Sequence, residues 1–237
     1  MEFTLPALKK SLNEACYICE DSTALTVFLA LKLEKPLLIE GAPGVGKTEM
    51  GKVLAEILAT DLIRLQCYEG LDETKALYEW NYQRQLLRIQ MNRNLEEDQI
   101  REEDLFSPKY LLERPLLKAI QADRRPVLLI DEVDKCDPEF EAFLFEVLSD
   151  FQVSIPELGT IRARQIPVVV LTSNNERELS DGLKRRCLYL YLDFPPVEKE
   201  VEIIKARVPG AAEQLAWETA RVIAAFRKQP EMRKKPS

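Results

Sequence analysis

Eight consecutive residues carry the most specific chemistry in this chain: Gly41-Ala42-Pro43-Gly44-Val45-Gly46-Lys47-Thr48, a full G-x-x-x-x-G-K-T. Its glycines let the backbone curl so that N–H groups converge on an anion, and a helix opening at Lys47 adds its N-terminal partial positive charge. In that setting Lys47 reaches the β- and γ-phosphates of a nucleotide, and the Thr48 hydroxyl joins the shell of a magnesium ion (Mg2+) that also takes phosphate oxygens. Such a loop needs a second metal contact from the end of a neighbouring strand. Val127-Leu128-Leu129-Ile130-Asp131-Glu132 supplies it, four apolar residues running into two carboxylates, at the strand edge where parallel sheets place their ligands. Asp131 is expected to hold the magnesium shell through water, and Glu132 to orient and polarise an attacking water. Thr172-Ser173-Asn174-Asn175 closes another strand, and Asn174 is the first candidate to reach toward the γ-phosphate. Lys184-Arg185-Arg186 ends a short helical pattern. That cluster either compensates a helix C-terminus or lends an arginine, Arg185 or Arg186, to a neighbouring subunit's nucleotide.

The elements that must position these groups can be read from periodicity. Short apolar runs of strand length lie at 36–40, 62–66, 127–131, 166–172 and 188–192, with helical patterns between them. That alternation argues an α/β fold, a parallel five-stranded sheet sandwiched by helices, and the glycine motif after its first strand makes a P-loop NTPase the expected form. Residues 5–33 repeat apolar positions three or four apart, with a break and a new start near Asp21-Ser22. The polar stretch 67–104 carries a charge run, Glu96-Glu97-Asp98 and then Arg101-Glu102-Glu103-Asp104, which reads as a solvated face. Segments 151–155 and 160–164 flank Pro156-Glu157-Leu158-Gly159 as a hairpin. Pro195-Pro196 ends the sheet pattern, so residues 1–195 are expected to form the nucleotide-binding domain and 196–237 a partial helical lid with helices at 197–207 and 211–227. The tail Arg233-Lys234-Lys235 is basic.

Composition removes several alternatives. The 237 residues include no histidine, which excludes a Ser-His-Asp triad, a Cys-His pair and any histidine-ligated metal. Five cysteines, an odd number, make a poor disulfide framework. Reduced thiols in a soluble, cytoplasmic protein are the simpler expectation. Cys16 and Cys19, spaced C-x-x-C within a helical pattern, are expected on one helix face, packed into the core. The net charge of -7 disfavours general coating of nucleic acid, and no apolar run approaches the length needed to span a bilayer. Guanine readers of the common type use N-K-x-D; Asp134-Lys135-Cys136-Asp137 has the wrong first residue, so ATP is preferred over GTP.

Together these residues resemble an AAA+ ATPase, with GAPGVGKT as Walker A, LLIDEVDK as Walker B, LTSNN as sensor 1 and LKRR at the arginine-finger position. Within that superfamily the chain resembles the MoxR branch, through the hairpin before sensor 1, the stretch LTSNNERELSDGLKRRCLYLYLDFP and the segment YEGLDETKALYEWNYQRQLL. The resemblance implies an ATP-hydrolysing chaperone or remodelling factor, working as a hexameric ring with ATP at subunit interfaces. It also implies a partner with a von Willebrand factor A domain and a client metalloenzyme, such as a molybdenum-containing dehydrogenase. The family's L-x-x-R-F pattern favours Arg186 as the finger, with Arg185 as the alternate. The family's lid carries a sensor 2 residue; with two lid helices in place here, the lid is either minimal or truncated. The other readings are a nucleotide-dependent scaffold with incidental turnover and a DNA-associated AAA+ motor.

Overall fold

The computed structural model describes residues 4–92, 102–229 and 236. The chain opens with helices α1 (Leu5–Glu14) and α2 (Asp21–Leu33), then strand β1 (Leu37–Gly41), helix α3 (Lys47–Ile57) and strand β2 (Leu62–Gln66). Next come α4 (Glu73–Ala76), β3 (Tyr78–Trp80), α5 (Tyr82–Asn92), α6 (Glu102–Leu105), β4 (Leu111–Glu113) and α7 (Pro115–Gln121). Strand β5 (Val127–Asp131) leads through a single 3-10 turn to α8 (Pro138–Asp150), followed by the hairpin β6 (Gln152–Ile155) and β7 (Gly159–Arg162). The rest is β8 (Val168–Ser173), α9 (Asp181–Arg186), β9 (Leu188–Leu192), α10 (Val197–Arg207) and α11 (Glu213–Arg227).

Five strands form one parallel sheet in the order β2-β5-β8-β1-β9. The position of each strand is written in its burial. The three central strands are buried at every residue, as expected when helices cover both faces. The edge strand β2 instead alternates exposed and buried residues, and those exposed positions become important at the site. One core, centred on Leu38, Leu128, Ile130 and Leu171, packs under α7 and α8; the other, with Ile39, Leu129 and Val170, packs under α1, α2 and α3. Helices α10 and α11 pair around a small cluster of their own, Val201, Ala216 and Ala220.

One expectation needs correction. Cys16 and Cys19 do not share a helix face. Helix α1 stops at Glu14, where the Tyr17 N–H bonds back to Leu12 O at 2.8 Å and Cys16 takes a φ of 56°, a left-handed conformation that no helix interior accommodates. Both thiols are half-buried in the loop at 15–20. The polar stretch 67–104 also contributes to the core. Leu71, Ala76, Leu77 and Trp80 are buried in the main core, and β3 pairs antiparallel with β4. The acidic run at 96–98, with Arg101, and the basic tail at 233–235 lie outside the described residues. Among the described residues no helix is long and apolar enough to cross a membrane.

Gly41 joins β1 to the phosphate-type loop under severe crowding. A Cβ built there lies 2.1 Å from the carbonyl oxygen of Leu192, main chain of the neighbouring strand β9. That oxygen cannot swing aside as a flexible side chain would. Gly41→Ala is expected to destabilise the chain by about 1–3 kcal/mol or more, read as a lower urea midpoint at unchanged m-value.

Candidate functional site

The loop from Gly41 to Gly46 rises from the C-terminal edge of β1 and feeds the first turn of α3. Gly46 caps that helix at a φ of 95°, open to glycine at little cost. The Tyr17 hydroxyl donates to Gly46 O at 3.3 Å, so the loop at 15–20 props the turn from below. Ala42, Pro43, Gly44 and Val45 form the arch. Lys47 is buried, and its Nζ donates to Gly41 O at 2.6 Å and Ala42 O at 2.8 Å, closing the arch on its own ammonium. Burial pushes the Lys47 ammonium below the ordinary lysine range, against the opposing pull of Asp134, Asp131 and Glu132.

Thr48 lies one residue further on, beside the end of β5. Its Oγ1 donates to Asp131 Oδ1 at 3.0 Å. The Thr172 hydroxyl, from the end of β8, donates to the same oxygen at 2.5 Å, and Arg64 Nη2, from β2, donates to Oδ2 at 2.5 Å. Burial alone would raise the Asp131 carboxyl, but these hydrogen bonds outweigh it and hold the group below the usual carboxylate range. Asp131 is therefore ionised at neutral pH.

Glu132 follows in a left-handed conformation, φ 58°. Positive φ at a non-glycine residue costs roughly 1–3 kcal/mol and persists where the surroundings over-determine it. Here they do. Its N–H donates to Thr172 Oγ1 at 2.9 Å, while its carboxylate accepts from Gln66 Nε2 at 2.9 Å, Lys135 Nζ at 2.7 Å and Asn174 Nδ2 at 3.5 Å. Asn174 is itself fixed: its N–H and that of Glu176 donate to Asp134 Oδ2 at 3.1 and 2.9 Å. Three strand ends thus bring Thr48, Asp131, Glu132 and Asn174 into one continuous hydrogen-bonded set.

Arg185 and Arg186 are not part of that set. Both are exposed on α9, and Arg186 rests its guanidinium on the Phe145 ring, 5.1 Å from the centroid. Among the described residues neither bonds to the loop or to Asp131 and Glu132. The helix that carries them is held by buried Glu141 of α8, whose Oε1 accepts the Ser180 N–H at 2.6 Å and whose Oε2 accepts from Arg177 at 2.9 Å.

A cavity of about 670 Å³ opens beside the loop, between Gly46, the half-buried Cys16 and Cys19, the end of β9 and helices α10 and α11. Its size suits a nucleotide-class ligand. Two ion pairs tie α10 across its mouth: Arg207 to Glu49 of α3 at 2.7 Å, and Lys199 to Glu20 at 3.7 Å. Deeper in, Arg227 makes a two-pronged pair with Glu200 at 2.8 and 2.9 Å and lies over the Phe194 ring. The Arg207 bond holds the Glu49 carboxyl below its ordinary range, ahead of burial, which acts the other way. Because the folded-state value is the lower one, this pair stabilises the chain above the ordinary carboxylate range and the gain disappears as pH falls through the depressed value. Both side chains are partly exposed, so Arg207→Ala is expected to cost only about 0.2–1 kcal/mol near neutral pH. Melting temperatures of the two forms should converge on acidification.

Sequence reasoning missed Arg64, Gln66, Thr172 and Asp134. The alternation of Arg64 and Gln66 in β2 places them on one strand face, but which carboxylates they meet depends on β2 lying beside β5.

The strand order and the strand–loop–helix junction define a nucleotide-binding P-loop fold. Residues 36–187 match the AAA domain of the dynein-related subfamily, more than half of the chain, and the chain belongs to this AAA+ ATPase family. Two uncharacterized Staphylococcus aureus proteins, from the bovine strain RF122 and from USA300, are each 26% identical over 195 residues. The match covers 79% of this chain and 65% of each relative, so the chain spans just under two thirds of their length. A solved structure from Cytophaga hutchinsonii, of a protein provisionally described as an ATPase, shares the fold with a TM-score of 0.58 at 17% identity. It covers 94% of this chain and 64% of that one.

Proposed function

We propose that this chain hydrolyses ATP to ADP and phosphate as a MoxR-like AAA+ remodelling factor. The observation that carries the chemistry is the set Thr48–Asp131–Thr172 beside Glu132–Asn174, assembled within reach of one glycine loop. The main-chain N–H groups from Gly44 onward bind the phosphates, with the Lys47 ammonium turned outward from the carbonyls of Gly41 and Ala42. Glu132 accepts a proton from water, and Asn174 orients that water against the terminal phosphate.

The donor set fits magnesium: a hydroxyl and a carboxylate oxygen 3.0 Å apart, both hard oxygen ligands. Thr48 would hold the ion directly and Asp131 through water. When bound, magnesium offsets the charge that builds on the phosphate oxygens. The cavity beside the loop then takes the base and ribose.

Residues 1–195 form the nucleotide-binding unit in this reading and 196–237 a partial lid. The hexameric ring, the finger role of Arg186 or Arg185, the von Willebrand factor A partner and the metalloenzyme client rest on the MoxR resemblance, and the cytoplasmic setting on the odd, scattered cysteines. Two measurements test the proposal. Calorimetry should detect association with magnesium-loaded ATP, and its absence would end the account. ATPase rate per chain should rise with protein concentration, alongside a larger particle by light scattering in ATP; a concentration-independent rate would remove the ring.

A further inference from the structure

Strand β2 contributes a device that neither the glycine loop nor the acidic pair accounts for. In the β2–β5 register Gln66 lies opposite Asp131 and Arg64 opposite Leu129, so Arg64 starts one step behind the acid on the same face of the sheet. Its side chain runs forward. Arg64 Nη2 donates at once to Asp131 Oδ2 at 2.5 Å and to Gln66 Oε1 at 2.6 Å. With its carbonyl oxygen committed to Arg64, the Gln66 amide presents Nε2 to Glu132 Oε2 at 2.9 Å. One guanidinium therefore touches the first acid directly and, through one amide, fixes the orientation of the second.

We propose that Arg64 is a positioning residue that sets the magnesium demand of this site, through its positive charge on Asp131 and its hold on Gln66. The inference rests on the nucleotide-binding reading above. Asp131 offers only two oxygens. One accepts two hydroxyls, and the other is covered by a cation. A dication approaching this carboxylate meets a charge already offset, and is repelled across a few ångströms by Arg64. The Arg64 side chain is 50% exposed while that of Asp131 is 4% exposed, so solvent softens the effect without removing it, and salt should weaken it further. A purely structural prop would hold strand β2 with no effect on the magnesium requirement.

The test uses the whole chain with Arg64→Gln, which removes the charge, and Arg64→Lys, which keeps it. Binding of a fluorescent ADP analogue is measured from chelated to millimolar magnesium, each variant's binding in chelator being its own reference, and thermal melts verify folding. Arg64→Gln should reach half of its magnesium-dependent gain at about three- to tenfold lower magnesium than the unaltered chain, with a gap that narrows in high salt. Arg64→Lys should stay close to the unaltered midpoint. An unshifted midpoint in Arg64→Gln, or an equal shift in Arg64→Lys, overturns the inference while leaving nucleotide binding intact. If Arg64→Gln does not fold, the unaltered chain and Arg64→Lys decide. A midpoint independent of salt in both then overturns it. Failure of the unaltered chain to bind the analogue at all removes the parent reading and this inference together.

Discussion

Glu132→Gln is expected to lower ATP turnover by about 10²- to 10⁴-fold, the usual worth of a positioned general base, while magnesium-ATP affinity stays within about twofold. The carboxylate is held at three points, by Gln66, Lys135 and Asn174, so an isosteric amide keeps the shape of the clasp. It loses acceptor capacity on one side and, above all, the ability to take a proton. The backbone at this position is strained whichever side chain it carries, and the substitution should therefore leave the melting temperature nearly unchanged. Rapid-quench measurement of phosphate release, paired with binding of ATP by calorimetry, separates the outcomes. Turnover at the unaltered rate would strip Glu132 of its role as the base.

Lys47→Ala acts on the other half of the reaction. The ammonium is buried and is held by the carbonyls of Gly41 and Ala42, so its removal takes the one side-chain cation from the arch and leaves two acceptors unpaired. Magnesium-ATP affinity should fall about 100-fold, equivalent to about 2.7 kcal/mol. Calorimetry or displacement of a fluorescent analogue reads it directly. Lys47 also gives the site a pH dependence with a definite sign. Burial lowers its pKa, and only the protonated form attracts phosphate. Affinity is then lost as pH rises, starting below the range where an ordinary lysine titrates. Binding by Lys47→Ala should lack this alkaline limb. Equal affinity in the two proteins across the whole range would contradict the assigned grip.

The sheet was legible because each strand is a short run, uninterruptedly apolar at the centre and alternating at the edge, bounded by breaks. Residues 127–131 coincide with the central strand β5, and 62–66 and 188–192 with the edge strands β2 and β9. Where local signals conflicted, periodicity misled: the C-x-x-C spacing suits a helix face, yet the turn at Cys16 ends the helix first. The same limit hid β3 and β4. Three-residue strands pair only because Arg114 N–H and Asn81 N–H find Leu77 O and Tyr110 O across the fold, and no window of sequence carries that information.

By itself the sequence determined which atoms are available and how each local run bends: the glycine arch before a helix, two acids ending an apolar strand, an amide ending another. Those are short-range facts, set by backbone sterics and by the side chains themselves. The tertiary structure decided their company. Only the β2-β5-β8-β1-β9 order sets Arg64 and Gln66 against Asp131 and Glu132, and only the side-by-side ends of β5, β8 and β1 let Thr48, Thr172 and Asn174 share those carboxylates. Partners tens of residues apart meet because apolar runs bury best side by side, and that packing fixes which polar ends are left together at the edge.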